Sequence, residues 1–199
     1  NSILLINHRN VLDHLIAAED TRRTRTLLAH YGIPTPTTSY FEHNKLKKGD
    51  SLLKTLRDGQ SIALVTDAGT PGLSDPGFHL AMLASSAGIP VVAVPGASAL
   101  TAALSASGIP ADRFVFEGFL PIKAGRRLAQ LRSLKALGRT VVLYESPHRL
   151  LKTLPAIHEV YGPIEIVICR ELTKKFEEVR RGTPAQLLAH YEAQGVRGE

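Results

Sequence analysis

The chain has 199 residues, a net charge of +6 and a hydrophobic fraction of 44%, which is enough to build one large or two small globular domains. No apolar run is long enough to span a membrane, and no signal peptide is visible at the amino terminus. The single cysteine, Cys169, excludes an internal disulfide and fits a reducing cytoplasm. The spacings of zinc fingers and of HExxH sites are absent, so no metal site is predicted.

The charge is unevenly distributed along the chain. Residues 1–112 carry nine basic and nine acidic side chains, whereas residues 113–199 carry fifteen basic and nine acidic ones. A basic second half favours a polyanionic partner such as nucleic acid. A solvated basic surface would produce the same pattern.

In the first half, apolar runs alternate with helical segments, which predicts a parallel sheet covered by helices. Residues 2–6 fit either a strand or the tail of a helix. The other predicted elements are a strand over 14–18, a helix over 22–31, a polar loop over 34–44, a helix over 46–57, a strand over 62–65, a helix over 78–87, a strand over 91–94 and a helix from the 95–98 segment to 107.

Residues 62–77, IALVTDAGTPGLSDPG, form the most distinctive stretch of the first half. A buried strand breaks into a loop rich in glycine and proline before the next helix begins. Ligands of open α/β sheets bind beyond the carboxyl ends of strands, where this loop lies. The stretch lacks the dinucleotide and P-loop glycine patterns, and an ordinary α/β corner would look the same.

Two acids, Glu19 and Asp20, follow the strand over 14–18, just before a helix N-cap. Successive side chains of an extended segment point to opposite sides, so at most one of the two would face a pocket.

In the second half, a linker over 108–113 precedes a strand over 114–120, a basic helix over 124–137 and a strand over 140–144. A strand over 164–169 and a helix from Thr183 to about residue 191 follow. Mixed charges stand at the ends of two of these strands, which fits structural ion pairs or a binding site. They are Glu145, His148 and Arg149 after the first, and Arg170, Glu171 and Lys174 after the second.

Several segments together resemble the tetrapyrrole methylase superfamily, and within it the branch that methylates small-subunit ribosomal RNA. They are LIAAEDTRRT (15–24), ALVTDAGTPGLSDPG (63–77), VPGASALTAAL (94–104), RFVFEGFLP (113–121), LYESPHRL (143–150) and CRELTK (169–174). The resemblance implies two α/β domains, over 1–111 and 112–199, with S-adenosylmethionine bound in the cleft between them, largely by backbone atoms of loops. The implied cofactor-binding residues are Asp67, Ala68, Gly69, Thr70, Pro71, Ser74, Asp75, Pro76, Gly77, Pro95, Gly96, Ala97, Ser98 and Tyr144.

The resemblance also implies an activity and partners. The branch transfers a methyl group to the ribose 2′-hydroxyl of a cytidine in the decoding region of 16S ribosomal RNA. We therefore expect a cytoplasmic homodimer that acts on this RNA or on the 30S subunit. A tetrapyrrole methyltransferase of the same fold, or an inactive relic that binds RNA or a ligand, is the alternative.

Two departures from the pattern of this ribosomal RNA branch concern the ends of the chain. The first strand and TPIGN loop of the branch have no counterpart here, and members of the branch continue beyond Gly198 and Glu199. We therefore expect truncation at both ends, with one neighbouring strand of the first sheet left unpaired.

Methyl transfer to a ribose hydroxyl requires alignment and removal of a proton. Candidate groups at strand ends are Glu19, Asp20, Asp67, Glu145, His148 and Glu171. Among these, Glu19 and Glu145 are predicted to be catalytic, in acid–base or positioning roles. The predicted RNA contacts, whose affinity should fall steeply with salt, are Arg126, Arg127, His148, Arg149, Arg170 and Lys174.

Overall fold

The structure is a computed structural model that describes residues 3–6 and 15–198. Its contacts divide the chain into two units, and the chain passes from one to the other between Ser98 and Ala99. The sequence placed this boundary between residues 111 and 112, which assigns the segment 99–111 to the first domain. The contacts group that segment with the second unit, and the predicted boundary stays a prediction.

The described strands of the first unit form one mixed sheet. They are β1 (Ile3–Ile6), β2 (Leu15–Ala18), β3 (Thr37–Ser39), β4 (Ile62–Val65) and β5 (Val91–Ala93), and their order in the sheet is β3-β2-β4-β1-β5. β2 runs parallel to both β3 and β4. The carboxyl ends of β2 and β4 therefore lie at the same edge of the sheet.

β1 lies between β4 and β5 and runs antiparallel to both. Its register pairs Ile3 with Val65 and Ile6 with Ile62. The expectation of an unpaired neighbouring strand is therefore wrong, because the segment 3–6 supplies backbone hydrogen bonds at that position of the sheet. Since β1 is antiparallel to both neighbours, β4 and β5 are parallel to each other and end at the same edge.

Within the described part of this unit, three helices accompany the sheet: α1 (Thr21–His30), α2 (Lys45–Arg57) and α3 (Gly77–Ser86). Asp20 caps α1 with its side chain, so the helix begins one residue earlier than the sequence predicted, which placed the cap after the two acids. The core of the unit combines apolar faces of the helices with the buried strands. Its main cluster is formed by Ala17, Tyr40, Leu52, Leu56, Ile62, Leu64, Leu80 and Ala84.

The first part of the second unit consists of three helices and a pair of parallel strands. These are α4 (Ala99–Ser107), β6 (Phe114–Phe119), α5 (Ala124–Ala136), β7 (Thr140–Tyr144) and α6 (Pro147–Tyr161). Leu120, Leu131, Leu134, Ala156 and Val160 form the core that α5 and α6 share.

The remaining elements are an antiparallel hairpin and a final helix. They are β8 (Ile166–Arg170), β9 (Glu178–Gly182) and α7 (Pro184–Gln194). Thr183 and Gln186 form a capping box at the start of α7, and Pro184 occupies its first turn. Leu154, Leu187 and Tyr191 join α7 to α6 in a second cluster of this unit.

Candidate functional site

Glu19 and Asp20 follow β2 and point to different partners. A carboxylate oxygen of Asp20 accepts hydrogen bonds from the Arg22 amide at 2.8 Å and from the Arg22 guanidinium at 3.2 Å. The hydrogen bond from the Arg22 side chain lowers the pKa of Asp20 to about 2. The Glu19 carboxylate instead accepts a hydrogen bond from the Thr66 hydroxyl at 3.0 Å. Of these two acids, Glu19 lines the pocket at this edge and Asp20 does not, as the alternation of side chains predicted.

Asp67 follows β4 and lies close to Glu19. Burial raises the pKa of Asp67, and the charge of Glu19 raises it further, while Arg23, whose guanidinium is 3.5 Å away, partly offsets the increase. Two carboxylates thus meet at the carboxyl ends of β2 and β4, with one arginine beside them. This acidic edge can accept hydrogen bonds from hydroxyl groups and favours a cationic ligand.

The Asp67–Gly77 loop is held in shape by its own carboxylate. One oxygen of Asp75 accepts hydrogen bonds from the backbone amides of Gly72 at 2.7 Å and of Gly77 at 2.6 Å. A Cβ atom at Gly77 would lie 2.7 Å from that Asp75 oxygen and 2.8 Å from Leu64, so only glycine fits there. Ser74 adopts a left-handed φ of 59°, which is uncommon outside glycine. The loop is therefore rigid and closely packed at its carboxyl end.

The opposite end of the same loop is open. Apart from Gly69 itself and its two chain neighbours, no atom lies within 4 Å of the position that a Cβ would take at Gly69. The Thr70 hydroxyl donates a long hydrogen bond of 3.5 Å to the carbonyl of Ala97. This contact joins the loop to the exposed 95–97 segment that follows β5. The structure therefore brings the two predicted cofactor loops of the first unit together at one edge of the sheet. We call this edge the rim, and it consists of Glu19, the Asp67–Gly77 loop and residues 95–98.

A small pocket behind the rim extends to a buried tyrosine. Its volume of about 10 Å³ leaves room for roughly one water molecule, so the pocket cannot itself hold an adenosyl group. Burial raises the pKa of Tyr40 to about 12, and its hydroxyl shares a hydrogen bond of 3.0 Å with Nδ1 of His79. Sequence reasoning did not identify Tyr40 or Thr66 as parts of this edge. The position of Thr66, directly between a buried strand and Asp67, was the signal available for it.

Tyr144, the predicted cofactor residue of the second unit, lies in an aromatic cluster at the carboxyl end of β7. Its ring contacts Phe116 edge-on, with centroids 4.8 Å apart, and Phe119 at 5.7 Å. Burial raises the pKa of the Tyr144 hydroxyl, and a hydrogen bond with the Leu100 backbone partly opposes that increase. The phenol therefore stays protonated at neutral pH. It can donate a hydrogen bond.

Both carboxylate oxygens of Glu145 have partners within the second unit. One accepts a hydrogen bond from the Ser146 amide at 2.8 Å and lies 3.3 Å from the Arg149 guanidinium. The other accepts from the Thr153 hydroxyl at 2.5 Å, and the side chain is only 11% exposed. Glu145 thus ties the first two turns of α6 together, which favours a positioning role over proton transfer.

The predicted RNA contacts fall into three groups. Arg126 and His148 are exposed. Arg149, Arg170 and Lys174 are engaged within the second unit, with the Leu120 carbonyl at 2.6 Å, Glu178 at 2.6 Å and Glu171 at 2.9 Å respectively. Arg127 is buried and donates to the Ile122 carbonyl at 3.3 Å. The predicted phosphate contact at Arg127 does not fit this position, because the side chain is buried and a guanidinium nitrogen is already bonded to a backbone carbonyl.

Glu178 joins several side chains of the hairpin and α7. It accepts hydrogen bonds from Arg170 at 2.6 Å, from Arg180 at 2.7 Å and from the Tyr191 hydroxyl at 3.3 Å. Burial opposes ionisation of Glu178, but the two arginines outweigh it and lower its pKa. Arg170 is therefore fixed by this carboxylate.

Replacing Glu178 by glutamine is expected to reduce the free energy of unfolding by about 2 kcal/mol at pH 7, since it leaves two partly buried arginines without their counter-ion. Because the pKa of Glu178 is lower in the folded chain, its contribution is present above the unfolded value and is lost as pH falls through the folded value. Urea denaturation at pH 7 and pH 3 measures the difference. The control is Glu165→Gln, which breaks an exposed pair with Arg181 and should cost less than about 0.5 kcal/mol. An equal loss for both variants, or a loss independent of pH, would contradict this role.

Neither a metal centre nor a membrane-spanning helix is found among the described residues. Among residues 3–6 and 15–198, no group of three or more histidine, cysteine, aspartate or glutamate side chains is arranged to hold a metal ion. No helix in the same part of the chain combines the length and hydropathy needed to cross a membrane.

Comparisons with known proteins identify the family. The profile of the family Tetrapyrrole (Corrin/Porphyrin) Methylases matches residues 9–188. A protein of Mesorhizobium japonicum named ribosomal RNA small subunit methyltransferase I is 51% identical over 180 residues, which cover 90% of this chain and 61% of that protein. A Pseudomonas aeruginosa protein of the same name is 49% identical, over 87% of this chain and 62% of its own length.

The solved structures show the same fold at low sequence identity. A uroporphyrin-III C-methyltransferase from Thermus thermophilus, complexed with S-adenosylhomocysteine, has a TM-score of 0.57 at 17% identity, over 94% of this chain and 81% of that one. The chain spans about three fifths of the length of the two curated relatives above. It belongs to the tetrapyrrole (corrin/porphyrin) methylase family, and its sequence is similar to the members of that family named ribosomal RNA small subunit methyltransferase I.

Proposed function

We propose that the protein uses S-adenosylmethionine to methylate the ribose 2′-hydroxyl of a cytidine in small-subunit ribosomal RNA. The observation that carries the proposal is the rim, where a rigid glycine-rich loop and two carboxylates meet at the carboxyl ends of parallel strands. The names of the relatives that share about half of its residues support the reaction and the substrate. With ribosomal RNA as the substrate, we propose that the protein acts in the cytoplasm and does so as a homodimer.

The rim has the features that the methyl donor requires. The backbone around Gly69 is open to a ligand, the loop behind it is fixed by Asp75, and the paired carboxylates suit a positively charged sulfonium and ribose hydroxyls. We propose that residues 67–71, 74–77 and 95–98 hold the donor, together with Tyr144. The predicted position of the donor in a cleft between the two domains stays a prediction. When bound, S-adenosylmethionine supplies an electrophilic methyl group.

Within this proposal, Glu19 accepts the proton of the ribose hydroxyl. Its carboxylate is exposed, and the Thr66 hydroxyl holds one of its oxygens at 3.0 Å, which fixes the direction of the other. In the reaction the new carbon–oxygen bond forms as the carbon–sulfur bond breaks, and the hydroxyl proton passes to the base. Asp67, with its raised pKa and its arginine partner, lines the donor side, while Glu145 positions the start of α6.

The test is methyl transfer from S-adenosylmethionine to small-subunit particles that lack this modification, followed by nuclease digestion and mass spectrometry of the nucleosides. The proposal predicts one 2′-O-methylcytidine per particle. Methylation of a corrin or porphyrin precursor but not of RNA would instead identify a tetrapyrrole methyltransferase. Calorimetry that detects no binding of S-adenosylmethionine would identify a relic without activity.

A further inference from the structure

An open depression of about 390 Å³ lies in the second unit, at the amino-terminal ends of β6 and β7. Its walls come from the segment before β6 and from the turn between α5 and β7. This volume falls within the range of roughly 300–1,000 Å³ that small-molecule pockets occupy. The depression is at the opposite end of these strands from Tyr144 and Glu145, so it is separate from the residues of the proposed reaction.

Two arginines stand side by side in this depression. The register pairs Phe114 with Thr140, so Arg113 and Arg139 occupy equivalent positions just before two neighbouring strands, which lie about 4.8 Å apart. Both side chains are exposed and line the depression. Within the described part of the chain, neither forms an ion pair with a carboxylate. Like charges in this arrangement repel each other, and a bound anion would relieve the repulsion.

One acid lines the same depression. Asp112 precedes Arg113 but forms no ion pair with either arginine, both of which are described residues. The Asp112 carboxylate can accept a hydrogen bond from a hydroxyl group, which a glutamate or aspartate side chain does not offer at neutral pH. Two guanidinium groups can donate hydrogen bonds to a phosphate, and one carboxylate can accept a hydrogen bond from a hydroxyl. Together they match a ribonucleotide, in which a phosphate and a 2′-hydroxyl are neighbours.

We propose that this depression binds the RNA backbone, with Arg113 and Arg139 on one phosphate and Asp112 on an adjacent ribose hydroxyl. The inference rests on the proposed function, since it assigns a second contact for the same RNA substrate. Arg139 and Glu145 flank β7 (Thr140–Tyr144), and the six residue steps between them separate this contact from Glu145 by about 20 Å. A phosphate contact at that distance fixes the register of the RNA without reading its sequence.

The test measures the affinity of the chain for a short RNA from the decoding region of the small subunit, by fluorescence anisotropy over a series of salt concentrations. The double variant Arg113→Gln/Arg139→Gln is expected to bind about tenfold more weakly. The slope of log K against log salt should decrease by roughly 0.7–0.9, as expected for one lost phosphate contact. Asp112→Ala should reduce the preference for RNA over DNA of the same sequence, because alanine cannot accept a hydrogen bond from the 2′-hydroxyl. Arg57→Gln, which removes an exposed charge at the end of α2, is the control and should change the affinity less than twofold.

Calorimetry with cytidine 3′,5′-bisphosphate separates this inference from the proposed function. Binding by the wild-type chain that the double variant loses supports the site, even if neither protein methylates ribosomal RNA. If the wild-type chain methylates RNA and the double variant binds it as tightly as Arg57→Gln does, the site is refuted. The same holds if the double variant loses affinity for a polyglutamate peptide but not for RNA. An unfolding temperature equal to that of the wild-type chain would show that the double variant is folded.

Discussion

Replacing Glu19 by glutamine is expected to reduce methyl transfer to small-subunit ribosomal RNA about 100-fold or more, since general-base catalysis contributes roughly 10²–10⁴ in rate. Glutamine retains an oxygen that can accept the hydrogen bond from Thr66, but it cannot take a proton. The affinity for S-adenosylmethionine should change less than about threefold. The measurement is a single-turnover rate with saturating donor, combined with calorimetry of donor binding.

Asp20→Asn is the matched control for Glu19→Gln. Asp20 is the adjacent carboxylate, but it caps α1 and pairs with Arg22 rather than facing the pocket. Asparagine is also a good N-cap residue, so this variant should fold and retain most of its methyl transfer. A full transfer rate in Glu19→Gln, or equal losses in both variants, would show that Glu19 does not accept the proton.

Replacing Asp75 by alanine is expected to weaken the binding of S-adenosylmethionine about 10- to 100-fold. The substitution leaves the amides of Gly72 and Gly77 without their acceptor, and each unsatisfied amide costs about 1–3 kcal/mol if the loop keeps its shape. The loop is therefore expected to rearrange, which removes the preformed surface that binds the donor. Calorimetry measures the affinity, and circular dichroism checks that the chain remains folded.

Asp75→Asn tests whether the acceptor or the charge matters. The asparagine side chain keeps an oxygen that can accept from both amides, so we expect donor affinity within about fivefold of the wild-type value. If Asp75→Ala binds the donor normally, the loop does not depend on this carboxylate. If Asp75→Asn binds as poorly as Asp75→Ala, the charge rather than the hydrogen bonds determines the affinity.

The strands that the sequence predicted best are those with short, continuous apolar runs, such as β4 and β7. Apolar side chains follow one another along these strands and point to both faces, and that pattern is visible in the sequence. β3 and β9 were missed because edge and hairpin strands can be polar: Thr37–Ser39 is TTS and Glu178–Gly182 is EVRRG. The direction of β1 depends on pairing with strands that are distant in sequence, so no local pattern could specify it.

The sequence predicted several residues that the structure places at the rim, but it did not predict the contacts that the site residues make. The Asp67–Gly77 loop and the divergence of Glu19 from Asp20 followed from turn chemistry and side-chain alternation. The engagement of Glu145 with Thr153 could not be predicted, because it depends on where α6 begins. The burial of Arg127 could have been predicted from the sequence. Its spacing from Leu131 and Leu134 places all three residues on one face of the helix.

Hydrogen exchange with and without S-adenosylmethionine tests most directly whether the rim binds the methyl donor. We expect slower exchange in peptides that cover residues 66–78 and 94–99 when the donor is present, with no change in α5, which serves as the internal reference. Protection confined to other segments, with unchanged exchange over 66–78 at saturating donor, would contradict the assignment of this loop.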